Sequence, residues 1–205
     1  MLTTIFSLII LFFSMIIHEI AHGSVAFALG DPTAKDAGRL TLNPLRHLDP
    51  FGSIILPLIF LLTTFGQGPI FGWTKPVPIN PYNLRDQKWG ILKISIAGPT
   101  TNFLIAIIFG LVIRFLTLPQ SILIFFSIIT IYNFAWGLFN LIPLPPADGS
   151  HILFTFLPER FSSLKFFLQR YGLFIIIFLV FFGFRWIFQA AMVLFTLVSG
   201  QSFII

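Results

Sequence analysis

Residues 1–29, MLTTIFSLIILFFSMIIHEIAHGSVAFAL, decide the architecture. The run is apolar apart from His18-Glu19-Ile20-Ala21-His22 and stops at Gly30-Asp31-Pro32. It exceeds the roughly 20 residues a helix needs to cross a bilayer, and the Gly and Pro just beyond it are helix-stop signals. No basic stretch precedes it, so it reads as a retained membrane helix rather than a secretory signal. One ionised side chain at the centre of such a helix costs about 2.5–3.5 kcal/mol on insertion scales. The cluster therefore needs a compensating partner. Positions i and i+4 of a helix share a face, so His18 and His22 can meet one metal ion. Glu19, one step round, is placed to take a proton from water on that ion. The plainer alternative is that these groups only hydrogen-bond one another between helices.

Composition agrees with a membrane setting. Of 205 residues 57% are hydrophobic and 9% charged, with 28 phenylalanines, against about a quarter charged in a soluble domain. One membrane-embedded domain, residues 1–205, is expected. The net charge of +5 comes from basic residues scattered through short connections, a pattern that fixes topology rather than one that binds nucleic acid. The absence of cysteine excludes thiol catalysis, thiolate metal sites and disulfides.

Beyond the first helix, residues 31–50 are polar, with turn signals at Asn43-Pro44 and Asp49-Pro50. Residues 51–65 are apolar but too short to span, so a re-entrant or interfacial segment is expected. Gly38 to Leu42 and Phe71 to Asn80 read as extended, which gives a short β-like, membrane-associated region. Further spanning helices are expected at about 91–118, 119–141 and 171–190. Residues 171–198 fit either one tilted helix or a span plus a surface segment. The expected fold is thus an all-α, polytopic helical bundle. Arg114 and Arg185 are expected to snorkel to an interface.

A catalytic zinc takes three protein ligands and keeps an open position for water. Without cysteine the third ligand must be His, Asp or Glu, and only Asp148 and His151 lie beside the membrane in a helix break, after Pro143, Pro145 and Pro146. Irregular chain at that depth is tolerated only where protein or a water-filled cavity covers it. Asp148 could equally cap the following helix. His47 and His151 read as flanking or solvated residues.

Three blocks, His18-Glu19-Ile20-Ala21-His22, Ala97-Gly98-Pro99-Thr100-Thr101-Asn102 and Phe139-Asn140-Leu141-Ile142-Pro143-Leu144-Pro145-Pro146-Ala147-Asp148-Gly149, in this order and spacing, resemble the site-2 proteases, a family of intramembrane zinc metalloproteases. The likeness covers about residues 10–155. Ala147 stands where the family usually has Leu. The resemblance implies the minimal form without extra soluble domains, also marked by Gly30 to Lys35, Leu42 to His47 and Lys75 to Asn80. It implies one zinc ion per chain held by His18, His22 and Asp148, with Glu19 as general base. It associates Asn102 and Asn140 with substrate positioning, although asparagines also hydrogen-bond between membrane helices with no further role. The implied substrates are single-span membrane proteins, cut in or near their transmembrane segments. From another class, a membrane zinc transporter could use the same ligands without needing Glu19.

If His18, His22 and Asp148 share one ion, the ends of the first and third spans lie on one membrane face. Ten of the 12 Lys and Arg residues then fall on that side, which the positive-inside rule places in the cytoplasm of a bacterial-type cell.

Overall fold

The computed structural model describes residues 2–63 and 72–202. The first helix, α1, covers Leu2–Ala28. Gly30, with φ 108°, reverses the chain there, and the Asp31 amide returns 2.9 Å to the Ala26 carbonyl, a glycine-terminated helix end. A short helix, α2 (Thr33–Asp36), follows. Asp49 caps a π-helical turn over Pro50–Ile55, accepting from the Gly52 amide, and the turn runs on into α3, Leu56–Thr63.

The long helices are α4 (Gln87–Phe115) and α5 (Gln120–Asn140); α6 (Asp148–Phe156) is short, and α7 runs over Ser162–Ser199. Four helices, α1, α4, α5 and α7, are long and apolar enough to cross a membrane, and the chain is a multi-pass membrane protein. Their core is built from Ala106 and Ile113 of α4, Ile131, Phe134 and Ala135 of α5, and Ala191 and Phe195 of α7. Small residues set the spacing: a Cβ on Gly110 would lie 2.7 Å from the Val198 side chain, so glycine lets α7 pack directly on α4, as small residues do between membrane helices. Outward faces carry exposed Leu, Ile and Phe, as a lipid-facing surface requires.

The β-like region is not observed. Among the described residues there is no strand; Gly38 is left-handed at φ 63°, and residues 72–80 are irregular. Phe71 lies outside the described residues. Pro76 and Pro78 remove alternate ladder donors, and the remaining polar groups are otherwise engaged. The Lys75 amide donates to the His47 carbonyl at 2.9 Å, Val77 to Glu19 at 2.8 Å and Asn80 to Asp31 at 2.7 Å. The buried Arg39 guanidinium donates to the carbonyls of Arg46, Lys75 and Pro76. The whole segment is thus strapped to α1 and the 39–47 loop. Trp73 returns beside Gly52, where an added Cβ would meet its indole at 2.3 Å.

Three further expectations change. α7 is one unbroken helix of 38 residues, about 57 Å at 1.5 Å per residue, and it absorbs most of the connection expected before it. Arg114 has a partner within the protein: it donates to the carbonyls of Leu197 and Val198 at 3.1 and 3.4 Å and caps the end of α7. His47 is fully buried and pairs with the Thr41 carbonyl at 2.8 Å inside the 39–47 loop, neither solvated nor beside the histidine pair.

Asp31 joins the end of α1 to the turn before α4. Fully buried, its carboxylate accepts from the Thr33 amide and hydroxyl, the Asn80 amide and the Asn83 side chain. Burial alone pushes this carboxyl up, but the four donors overcome it and its pKa is lowered. A depressed folded pKa contributes stability above the unfolded value and loses it as pH falls through the folded one. Asp31→Asn turns an acceptor into a donor facing donors, and is expected to cost about 2–3 kcal/mol near neutral pH. The measurement is thermal unfolding in detergent, and the gap from wild type should close as pH drops below about 4.

Candidate metal centre

His18 and His22 stand one turn apart on α1, both buried, with their Nε2 atoms 2.9 Å apart. The Asp148 Oδ2 completes a triangle, 2.9 Å from His18 Nε2 and 3.1 Å from His22 Nε2. The Nδ1 atoms are engaged elsewhere. His22 Nδ1 donates to the Ile94 carbonyl at 2.6 Å. His18 Nδ1 lies 2.7 Å from Asn102 Oδ1. The Asn102 amide has only that orientation open, because its Nδ2 donates to the Ser14 carbonyl and to Asn133 Oδ1. Both imidazoles therefore carry a proton on Nδ1, and in the neutral form they turn the Nε2 lone pair inward, the tautomer a metal-ligating histidine needs.

Two imidazole lone pairs and a carboxylate oxygen then converge on one point. Electron pairs facing one another at about 3 Å require positive charge between them. Among the described residues these three form the one group of His, Asp or Glu close enough to hold a metal ion together, and two nitrogens with one oxygen match the donor set of catalytic zinc. Asp148 opens α6, outside the spans. A carboxylate is ionised near neutral pH, as a metal ligand must be.

The other two sequence blocks are read out in contacts. Ile94, Gly98 and Asn102 recur at i, i+4 and i+8 on one face of α4, and all three bear on the histidines. A Cβ on Gly98 would sit 2.6 Å from ring atoms of both His18 and His22, so only glycine lets α4 close on the pair. Gly149 serves the other side: a Cβ there would meet the Leu141 and Ile142 carbonyls at 2.3 and 2.5 Å. Its absence lets α6 start tightly beneath the end of α5, which delivers Asp148 to the histidines. Gly98→Val should leave the protein folded by circular dichroism but weaken zinc binding by about 10–100-fold, the range for losing support around a metal ligand. A competition titration with a chelating dye measures it.

Glu19, half-buried beside the triangle, accepts from the Val77 amide through Oε2 at 2.8 Å. Asn140 is not brought into the cluster; its side chain donates back along its own helix to the Trp136 carbonyl at 3.0 Å. His151 is exposed and stands outside the triangle. Sequence reasoning misses three neighbours. Asn133 extends the His18–Asn102 chain, and its signal is a polar residue in an apolar helix. Trp136 sets its ring edge-on to His18, 6.3 Å between centroids, and stacks on Phe139. Val77 acts through its backbone and carries no side-chain signal.

Comparison with known proteins places these features. The sequence model described as Peptidase family M50 matches residues 117–183, which include Asp148 but not the histidines. The chain is 39% identical over 183 residues to "Putative zinc metalloprotease YwhC" of Bacillus subtilis (strain 168), covering 85% of this chain and 78% of that protein. It is 30% identical over 153 residues to a protein of the same description, MJ0611, from Methanocaldococcus jannaschii, covering 74% of this chain and 71% of that one. A third of that description, Rip2 of Mycolicibacterium smegmatis, is 28% identical over 143 residues, 66% of this chain and 51% of its own length. No solved structure matches the chain.

Proposed function

The chain belongs to peptidase family M50, and on that premise we propose that it is an intramembrane zinc endopeptidase of the site-2 type, cutting single-span membrane proteins in or near their transmembrane segments. The observation that carries this reading is the convergence of His18 Nε2, His22 Nε2 and Asp148 Oδ2 with Glu19 alongside. These three residues would hold one zinc ion. When bound, zinc would polarise a scissile carbonyl and lower the pKa of an adjacent water.

The chain's own groups supply the rest. Glu19 takes a proton from the attacking water and passes it to the leaving amine. The Val77 amide holds one Glu19 oxygen and leaves the other for the proton. Arg39 and Asp31, gripping residues 75–80 from either side, keep that amide in place. Asn102 and Asn133 lock the His18 ring, so Asn102 positions a ligand rather than the substrate. Asn140 is left as helix packing.

The direction of the helices supports an orientation. The C-terminal ends of α1 and α5 and the N-terminal ends of α4 and α7 share the face bearing Asp148, and ten of the 12 basic residues sit in or beside the connections there. This reading puts the site near the cytoplasmic side of a bacterial-type membrane. Residues 51–65 are read as a re-entrant element opening on that side; 64 and 65 lie outside the described residues.

The test is co-reconstitution of the zinc-loaded protein in liposomes with a panel of tagged single-span proteins, with products mapped by mass spectrometry. Cuts inside or within a few residues of the span, stopped by a zinc chelator, are expected. Zinc flux into the vesicles with every substrate intact would favour a carrier instead.

A further inference from the structure

Two packing contacts set the depth of every residue in α7. Near its start, Gly172 rests on Pro145, in the turn between α5 and Asp148; a Cβ there would lie 2.6 Å from the Pro145 carbonyl. At its far end a Cβ on Gly200 would lie 4.0 Å from the Arg114 side chain, where Arg114 caps the helix. Arg185 stands 13 positions after Gly172 and 15 before Gly200, so it is about 20 Å from either landmark along the axis. With those two landmarks taken as the edges of the span, Arg185 sits near its middle, farther from either than an arginine side chain extends.

Arg185 is nevertheless exposed on the outer face of α7. Among the described residues no hydrogen bond, ion pair or ring contact reaches it. Gln189, one turn further on the same face, is exposed too, so a guanidinium and a carboxamide stand together in a lipid-facing surface. Exposed Phe178, Phe182 and Trp186 surround them. Intramembrane ionisable residues face a partner or a water-filled path, and here the bundle offers neither. A second copy does not fit, because its α7 would bring another guanidinium. Of the seven acidic residues, Glu19 and Asp148 belong to the metal centre and the other five lie in connections outside the spans.

We infer that the Arg185–Gln189 face of α7 docks a transmembrane helix of another protein that carries an aspartate or glutamate at mid-membrane depth. The carboxylate accepts from the guanidinium, a charge-assisted pair of fork geometry, and from the Gln189 amide. The flanking aromatics pack against the partner's apolar face. This interaction needs the fold alone and is independent of the proteolysis reading.

The test reconstitutes the fluorophore-labelled full-length chain in phosphatidylcholine vesicles with synthetic Leu/Ala-rich spanning peptides that differ only at the central residue: Glu, Leu or Lys. Energy transfer should report association of the Glu peptide at least about tenfold tighter than of the Leu peptide. Arg185→Leu should bind the Glu and Leu peptides equally, with unchanged zinc content and helicity. Arg185→Glu should prefer the Lys peptide, and Arg185→Gln should show a weakened Glu preference if the charge swap does not insert. Equal binding of the Glu and Leu peptides to wild type would overturn the inference, as would a Glu preference that survives in Arg185→Leu.

Discussion

Glu19→Gln is expected to cut the initial rate of substrate cleavage by about 10²–10⁴-fold, the range a general acid–base contributes, while zinc per chain stays at the wild-type value. The rate loss corresponds to about 2.7–5.4 kcal/mol of transition-state stabilisation at 1.36 kcal/mol per tenfold. The separation of the two readouts follows from geometry. Glu19 is not one of the three converging donors, and its Oε2 is held by the Val77 amide. In the variant the amide oxygen keeps that hydrogen bond, so an –NH₂ group faces the water where a proton acceptor is needed. Initial rates on a single-span substrate and metal analysis on the same preparations test both halves. A Glu19→Gln variant that cleaves normally would assign the proton transfer elsewhere.

Asp148→Ala carries the second large effect, on metal rather than on proton transfer. It leaves two neutral imidazoles with lone pairs facing one another 2.9 Å apart and no anionic ligand. Zinc affinity should fall by more than the 10–100-fold typical of groups that merely orient a ligand, and cleavage should vanish with it. Asp148→Asn keeps the shape but offers a neutral oxygen, so it should bind zinc between wild type and Ala. Chelator competition on the purified variants, with helicity as the folding control, gives the series.

How much of this is legible in sequence depends on whether the deciding contacts are local. The opening helix and its i, i+4 histidines follow from a 3.6-residue period, and the four spans follow from apolar length; their observed ends differ by a few residues, except in α7. There the residues around Arg170 look like a connection, but they carry no helix breaker, and the helix runs from Ser162 to Ser199. The extended segment reads as β-like from its Gly and Pro content, but composition does not say what its amides bond. The prolines that suggest extension also remove the ladder, and Glu19, Asp31 and Arg39 take the groups that remain.

The same contrast holds at the metal centre. The three converging donors, His18, His22 and Asp148, are recoverable from motif, elimination and resemblance. The role of Asn102 is not, because its partners lie 84, 88 and 31 positions away, and only the packing of α1, α4 and α5 shows that it serves His18. Gly98 and Gly149 appear in the sequence as letters of a block, and their reason is steric: each occupies a place where a single added carbon would strike a ligand or a carbonyl.

X-ray absorption at the zinc edge of the purified, membrane-reconstituted protein tests the metal centre most directly. The spectrum should show a first shell of nitrogen and oxygen only, at about 2.0–2.1 Å, with outer-shell scattering from two imidazoles, and His22→Ala should remove one of them. Zinc whose spectrum is unchanged after replacement of His18, His22 or Asp148 would contradict the account.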